Sequence, residues 1–302
     1  MNIRIIGVPL DLGSDFKGAG IGPTAMRIAG LQEKLEDLGH SVTDEGDLLI
    51  ASRQSLDIGS EHAKYLSEIQ RIDSVLCDHV ERALEHGDFP VVLGGDHAMA
   101  VGTISGVARF YRKQEKKIGV IWIDAHADIN TAETSLSGNI HGMPLAAIIG
   151  MGVPELTHIG GDFQKVNPQN VVLLGIRSVD KAEKALLKKM GVNFFTMTDI
   201  DKRGMPDILN HAIDDLARHV DAIHISLDLD GLDPEITPGV ATPVKGGLDY
   251  REAHLIMETA ADCGKLCSIE IAEANPILDI RNRTSETAVE LICSALGKRI
   301  VD

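Results

Sequence analysis

The sequence predicts an α/β fold: a three-layer α/β/α arrangement with a mostly parallel central sheet and helices on both faces. Three observations predict it. Short apolar runs alternate with longer segments of helical periodicity along the whole chain, the pattern of repeated strand–helix units. The runs are rich in Val, Ile and Leu, as in strands covered on both faces. No repeat, low-complexity tract or Pro/Ser linker interrupts them, so residues 1–302 read as a single domain.

The elements follow in order. Ile3–Val8 reads as a strand, followed by a glycine-rich loop that ends in Gly22-Pro23. Proline favours the first helical position, and periodicity predicts a helix over Thr24–Leu38. Glu61–His86 reads as a long helix ended by Gly87. Pro90–Leu93 reads as a buried strand, Met99–Arg112 as a helix and Ile118–Ile123 as a second buried strand. Val171–Gly175 predicts a strand, and Lys181–Met190 a helix stopped by Gly191. Asp207–His219 reads as helix, Ala222–Leu229 as strand, Tyr250–Cys263 as helix, Leu266–Ile271 as strand and Ser285–Leu296 as the last helix. Thr131–Gly142 and Pro154–Asn170 read as long loops, which in compact domains often carry function.

Composition narrows the function. Hydrophobic residues make up 44% of the chain and aromatics only 3%, so a large core rests on aliphatic side chains. No apolar stretch approaches the ~20 residues of a membrane span, and the N-terminus runs straight into a strand with no leader-like segment. Cys77, Cys263, Cys267 and Cys293 form no knuckle or disulfide framework; helical spacing relates Cys263 to Cys267, and a reducing, cytoplasmic setting is expected. The net charge of −16 argues against nucleic acid and anionic membranes. It is compatible with a small cationic substrate, although most of it reads as solvated surface.

In a parallel sheet the strands end at one edge, where ligands bind. Val91-Val-Leu93 is followed by Gly94-Gly-Asp-His97, Ile121-Trp-Ile123 by Asp124-Ala-His126-Ala-Asp128, and Ile225-Ser-Leu227 by Asp228-Leu-Asp230. Residues at i, i+2 and i+4 of an extended segment point the same way. Three strand ends therefore deliver His97, Asp124, His126, Asp128, Asp228 and Asp230 to one edge. Each motif alone is weak; together they predict a metal site. Imidazoles and carboxylates without thiolate suit Mn²⁺, with Co²⁺, Ni²⁺ or Fe²⁺ as substitutes. Six ligands with carboxylates able to bridge fit two ions better than one. Such a pair, about 3.5–4 Å apart, can activate a water between them. Two divalent ions balance four aspartates, and a hydroxide leaves the centre negative, which again favours a cationic substrate.

These residues resemble the three signatures of the ureohydrolases, binuclear manganese enzymes that cleave guanidino and related groups. The resemblance runs from about Ile3 to Gly297. Within that family, Asn130-Thr-Ala-Glu-Thr-Ser-Leu-Ser137-Gly-Asn-Ile-His141-Gly-Met-Pro144 is similar to the arginases. The resemblance implies that His97, Asp124, Asp128 and Asp228 hold one Mn²⁺, and that Asp124, His126, Asp228 and Asp230 hold the other. It implies that Asn130 and Ser137 bind the substrate α-carboxylate and that Asp180 faces the α-amino group, with Glu183 assisting through water. It further implies that Glu273 pairs with the guanidinium, that Thr242 supports it and that His141 transfers protons. It also implies a homotrimer or homohexamer. Departures from the family pattern fall at Phe16 and Lys17 in the early loop, at Ala132 and Glu133, and at Lys181 and Ala182; they alter the rim and leave the ligands untouched.

The implied reaction is hydrolysis of L-arginine to L-ornithine and urea. A metal-bridging hydroxide attacks the guanidinium carbon, Glu273 orients the cation, and Asp128 steadies the tetrahedral carbon. Asp128 and His141 are both candidates to protonate the departing amine. Taken alone, His141 reads as a loop histidine, Asn130 and Ser137 as turn residues, and Asp180 as a helix cap. Three other readings stand beside this one. The first is a sister ureohydrolase acting on agmatine, guanidinobutyrate or formiminoglutamate, whose substrates lack one or both α-groups. The second is a metal-dependent deacetylase with one zinc. The third is a non-catalytic, metal-stabilised assembly protein.

Overall fold

The computed structural model describes residues 1–301. Ten strands are formed: β1 Asn2–Val8, β2 Ser41–Asp47, β3 Gly59–Ser60, β4 Ala63–Lys64, β5 Phe89–Gly94, β6 Ile118–Ile123, β7 Val171–Ile176, β8 Asn193–Thr196, β9 Ala222–Asp228 and β10 Leu266–Ala272. Eight of them make one sheet in the order β2-β1-β5-β10-β9-β6-β7-β8, and every pairing within it is parallel. The helices are α1 Gly22–Ile28, α2 Leu31–Asp37, α3 Leu66–Glu85, α4 Ala100–Arg112, α5 Pro144–Ile148, α6 Pro154–Thr157, α7 Lys181–Met190, α8 Met197–Arg203, α9 Met205–His219, α10 Tyr250–Asp262 and α11 Arg283–Ala295.

The period of two along each central strand sorts the core into two layers. Val92, Val120 and Trp122 join side chains of α3, α4 and α5 on one face. Val91, Leu93, Ile121 and Ile123 join those of α1, α2, α9, α10 and α11 on the other. Residues of β5 and β6 are buried throughout, which explains their uninterrupted apolar runs. The four central strands β5, β10, β9 and β6 are neighbours, so their C-terminal ends converge on one patch of the sheet edge.

Two predicted helices change. The helix read over Thr24–Leu38 is two, because Gly30 adopts a left-handed φ of 81° between α1 and α2. The helix read from Glu61 begins at Leu66: residues 59–64 form the β3–β4 ribbon, and Tyr65 turns the chain at φ 54°. Cys267 lies on β10 rather than on a helix with Cys263, and all four cysteines are free thiols. The loop read over Pro154–Asn170 contains α6 and a short turn at Pro168–Asn170. Among the described residues, no helix is long and apolar enough to cross a membrane.

Candidate metal centre and substrate cleft

The strand ends deliver their acidic and imidazole side chains to one place. Nδ1 of His97 lies 3.4 Å from Asp124, 3.1 Å from Asp128 and 3.2 Å from Asp228. Nδ1 of His126 lies 3.4 Å from Asp124 and 3.1 Å from Asp230. The ligand atoms thus fall into two groups, His97/Asp124/Asp128/Asp228 and Asp124/His126/Asp230, which share Asp124. Asp228 falls in the first group only, whereas the resemblance places it on both ions. Asp124, His97 and Asp228 are all but sealed from solvent.

Four of the six candidate ligands, His97, Asp124, Asp228 and Asp230, are held from behind. The Nε2 of His97 lies 2.8 Å from the Ser226 hydroxyl, and its ring stacks on Trp122 with centroids 4.4 Å apart. The Trp122 indole N–H donates to Asp124 Oδ2 at 2.9 Å. Asp228 Oδ1 accepts from the Asp230 amide at 2.8 Å, and the Thr242 hydroxyl donates to Asp230 Oδ2 at 2.8 Å. Asp124 Oδ1 accepts from the His126 amide at 2.6 Å. These contacts fix ring orientation and carboxylate direction, as outer partners do at metal sites.

The residues fit divalent ions. His97 Nδ1 is buried and has no hydrogen-bond partner, yet three carboxylate oxygens face it. A buried ring nitrogen without a partner is costly, and a cation between it and the carboxylates removes the cost. The electrostatics agree. Burial raises the Asp228 pKa well above the usual carboxylate value, and the Asp230 and Asp124 charges add to the rise. Burial and Asp124 push Asp128 up to about 7. Burial works against protonation of His126, but Asp124 and Asp230 outweigh it and hold the imidazole at about 12. These shifts all favour the more positive form of the cluster, which is the charge a bound cation would supply.

A cleft of about 160 Å³ opens over this centre, lined by His126, Asp128, Asn130, His141, Gly142, Glu183, Asp228, Asp230 and Thr242. The loop from Asn130 to Gly142 closes on itself through the Asn130 amide and the Gly142 carbonyl, 3.1 Å apart. Gly138 sits at φ 70° against the Glu61 carbonyl, where a Cβ would lie 1.8 Å from that oxygen. Only glycine allows the β3–β4 ribbon to brace the loop there. Asp96 accepts from the amides of Leu12 and Gly13, and the Gly13 carbonyl accepts from the His141 amide at 3.1 Å. The end of β5 therefore sets the height of His141. Asp96, Ser226 and Trp122 have no role legible in the sequence: Ser226 and Trp122 meet His97 only because the sheet brings the ends of β5, β9 and β6 together.

Glu273, at the end of β10, is buried with φ 65°. Its Oε1 accepts from the His97 amide at 3.0 Å and lies 3.1 Å from His141 Nδ1. Its Oε2 has no partner. Burial opposes protonation of His141, but the Glu273 hydrogen bond and charge, with Asp128 and Asp96, hold its pKa up at about 9. Asp180 caps α7: its Oδ1 accepts from the amides of Ala182 and Glu183, Glu183 accepts from the Asp180 amide, and Asn130 Nδ2 donates to Asp180 Oδ2 at 2.9 Å. Ser137 is exposed on the loop, with its hydroxyl 3.2 Å from the Asn139 amide. Ser137, Asp180 and Glu273 do not line the cleft as it stands.

The Arginase family model matches residues 1–297. The chain belongs to the arginase family. It is 47% identical to the arginase of Bacillus caldovelox over 300 residues, covering 99% of each chain. It is 46% identical to the arginase of Bacillus subtilis strain 168 over 299 residues, again covering 99% of each. The native crystal structure of Bacillus caldovelox arginase superimposes with a TM-score of 0.95 at 47% identity, covering 99% of both chains. The family is metal-dependent, and the buried His/Asp groups could hold its ions.

Proposed function

We infer that the protein is an arginase, hydrolysing L-arginine to L-ornithine and urea at a centre of two Mn²⁺ ions. The observation that carries this reading is the pair of His/Asp groups joined by Asp124 beneath a cleft walled by Asn130, His141 and Glu183, in a chain of the arginase family. His97, Asp124, Asp128 and Asp228 would hold one ion, and Asp124, His126 and Asp230 the other. When bound, the ions supply a nucleophile from water at neutral pH and a positive field for the attack.

The chain's own residues do the rest. Glu273 offers an unpartnered, buried oxygen as the counter-charge for a guanidinium above it, through Oε2, while Oε1 stays on His97 and His141. Asp128 faces the reacting carbon and steadies its tetrahedral form. His141, held protonated by Glu273, delivers the proton that lets the amine leave. Asn130 and Ser137 receive the α-carboxylate. Asp180 and Glu183 receive the α-amino group, with Asn130 tied to Asp180 so that the two ends of the substrate are read together. Thr242 holds Asp230 in place.

The test is urea release from L-arginine by chelated protein and by the same protein re-supplied with Mn²⁺, Co²⁺, Ni²⁺ or Fe²⁺. Activity that depends on metal and is restored by Mn²⁺ with two ions per chain supports the reading; urea release by metal-free protein contradicts it. A homotrimer or homohexamer is proposed as well, read by light scattering of the loaded protein.

A further inference from the structure

Arg177 follows β7 directly and does not line the cleft. Its guanidinium makes no hydrogen bond to a carboxylate among the described residues; burial lowers its pKa, and the charges of Asp230, Asp124, Asp233 and Asp228 oppose the fall. It spends its donors on backbone carbonyls instead. Nη2 donates to the carbonyls of Asp230 at 2.7 Å, Leu232 at 3.1 Å and Val244 at 2.6 Å. Nη1 donates to Gly231 at 2.9 Å and Gly175 at 3.2 Å, and Nε to Val244 at 3.2 Å. Asp228 is the last residue of β9, and Asp230 lies in the turn that follows it. The segment that ends at Val244 carries Thr242, whose hydroxyl holds Asp230 Oδ2. One planar group therefore joins the end of β7, the ligand-bearing turn and the segment that supports its carboxylate. The backbone makes room for it: a Cβ at Gly247 would lie 2.6 Å from Nη2.

We propose that Arg177 is a positioning residue for the second metal group, Asp124/His126/Asp230: it clamps Asp230 from its backbone side, as Thr242 does from its carboxylate side. This rests on the reading of that group as a metal site. The chemistry explains why the residue is arginine. Five N–H donors in a fixed plane reach five carbonyls on three segments; a lysine ammonium has three donors on one flexible atom. The field works the other way. A fixed cation near bound dications repels them, so removing the charge alone would tighten metal binding. The sign of the change in affinity therefore separates a clamp from a mere charge.

The experiment is calorimetric titration of Mn²⁺ into chelated wild-type protein, Arg177→Gln, Arg177→Lys and Asp230→Asn, with circular dichroism and melting of each metal-free protein. Asp230→Asn identifies which binding step belongs to the second group; if wild-type protein binds fewer than two ions, or Asp230→Asn leaves both steps intact, the metal reading itself fails. With that step identified, Arg177→Gln and Arg177→Lys are expected to weaken it roughly 10- to 100-fold, the range for outer partners of metal ligands, and to affect the other step much less. The lysine variant retains the charge and is expected not to rescue. An unchanged or tighter second step, or equal weakening of both steps, overturns the proposal. So does a lower melting temperature with unchanged affinity, which is what a purely structural arginine gives. If the glutamine variant does not fold, Arg177→Lys decides alone.

Discussion

Asp180 is asked to do two things, and two substitutions separate them. As the N-cap of α7 it accepts from the Ala182 and Glu183 amides at 2.7 and 2.9 Å, and it takes Asn130 Nδ2 at 2.9 Å. Asp180→Ala removes all three contacts. Loss of an N-cap costs about 1 kcal/mol, and the hydrogen bond from Asn130 adds roughly 0.5–1 kcal/mol. For a chain of this length the total lowers Tm by about 3 °C. Asp180→Asn preserves the cap, since asparagine caps as well as aspartate, but its amide nitrogen replaces the oxygen that accepts from Asn130, so its Tm falls by only about 1 °C, less than in Asp180→Ala. It removes the charge that the substrate role requires. A charge-assisted hydrogen bond is worth about 1.5–3 kcal/mol, so kcat/KM for L-arginine falls roughly 10- to 100-fold. Thermal melting and steady-state urea release, run on both variants, give four numbers. Wild-type kcat/KM in Asp180→Asn would refute the substrate role and leave only the cap. An unchanged Tm in Asp180→Ala would refute the cap.

Other outcomes follow from the same geometry. His141→Asn lowers turnover while both ions remain bound, read by metal content beside kcat; loss of an ion would make His141 a ligand. Ser226→Ala leaves His97 Nε2 without its partner and lowers Mn²⁺ affinity of the first group roughly 10- to 100-fold; unchanged affinity would show that Trp122 stacking alone orients the ring. The metal-free protein loses stability as pH rises. A carboxylate such as Asp128, raised to about 7 from about 3.9 in the unfolded chain, stays protonated in the fold after the unfolded state has ionised. Its contribution is therefore lost between those values. The His126 contribution, present below about 6.5, is lost as pH rises towards about 12. Both have the same sign, so the Tm gap between Mn²⁺-loaded and metal-free protein widens from pH 5 to pH 9 in scanning fluorimetry. A constant gap would contradict this.

What the sequence shows and what it hides have physical reasons. β6 is legible residue for residue because both its faces are covered, so every position is apolar. The same burial makes the following Asp124-Ala-His126-Ala-Asp128 conspicuous. β2, at the sheet edge, alternates exposed and half-buried residues and carries Thr-Asp-Glu-Gly-Asp, so no apolar run announces it; β8, at the other edge, has only four residues. The break at Gly30 and the late start of α3 at Leu66 depend on single left-handed residues, Gly30 and Tyr65, within segments whose apolar periodicity continues across the break. The family is legible from three motifs. The supports of the site are not: Ser226, Asp96 and Arg177 act through hydrogen bonds to residues far away in the chain, and Trp122 through stacking on the distant His97. Asp180 reads equally as cap or ligand, and here its Oδ1 is committed to the cap.

The central claim is that the loop from Asn130 to His141 narrows a two-metal centre to arginine. It is tested most directly by kcat/KM for L-arginine beside agmatine, on chelated protein re-supplied with Mn²⁺. Agmatine keeps the guanidinium and lacks the α-carboxylate that Asn130 and Ser137 are assigned to receive. L-Arginine is expected to turn over faster, with an advantage that falls in Asn130→Ala. Agmatine turned over as fast as arginine, or faster, would contradict it.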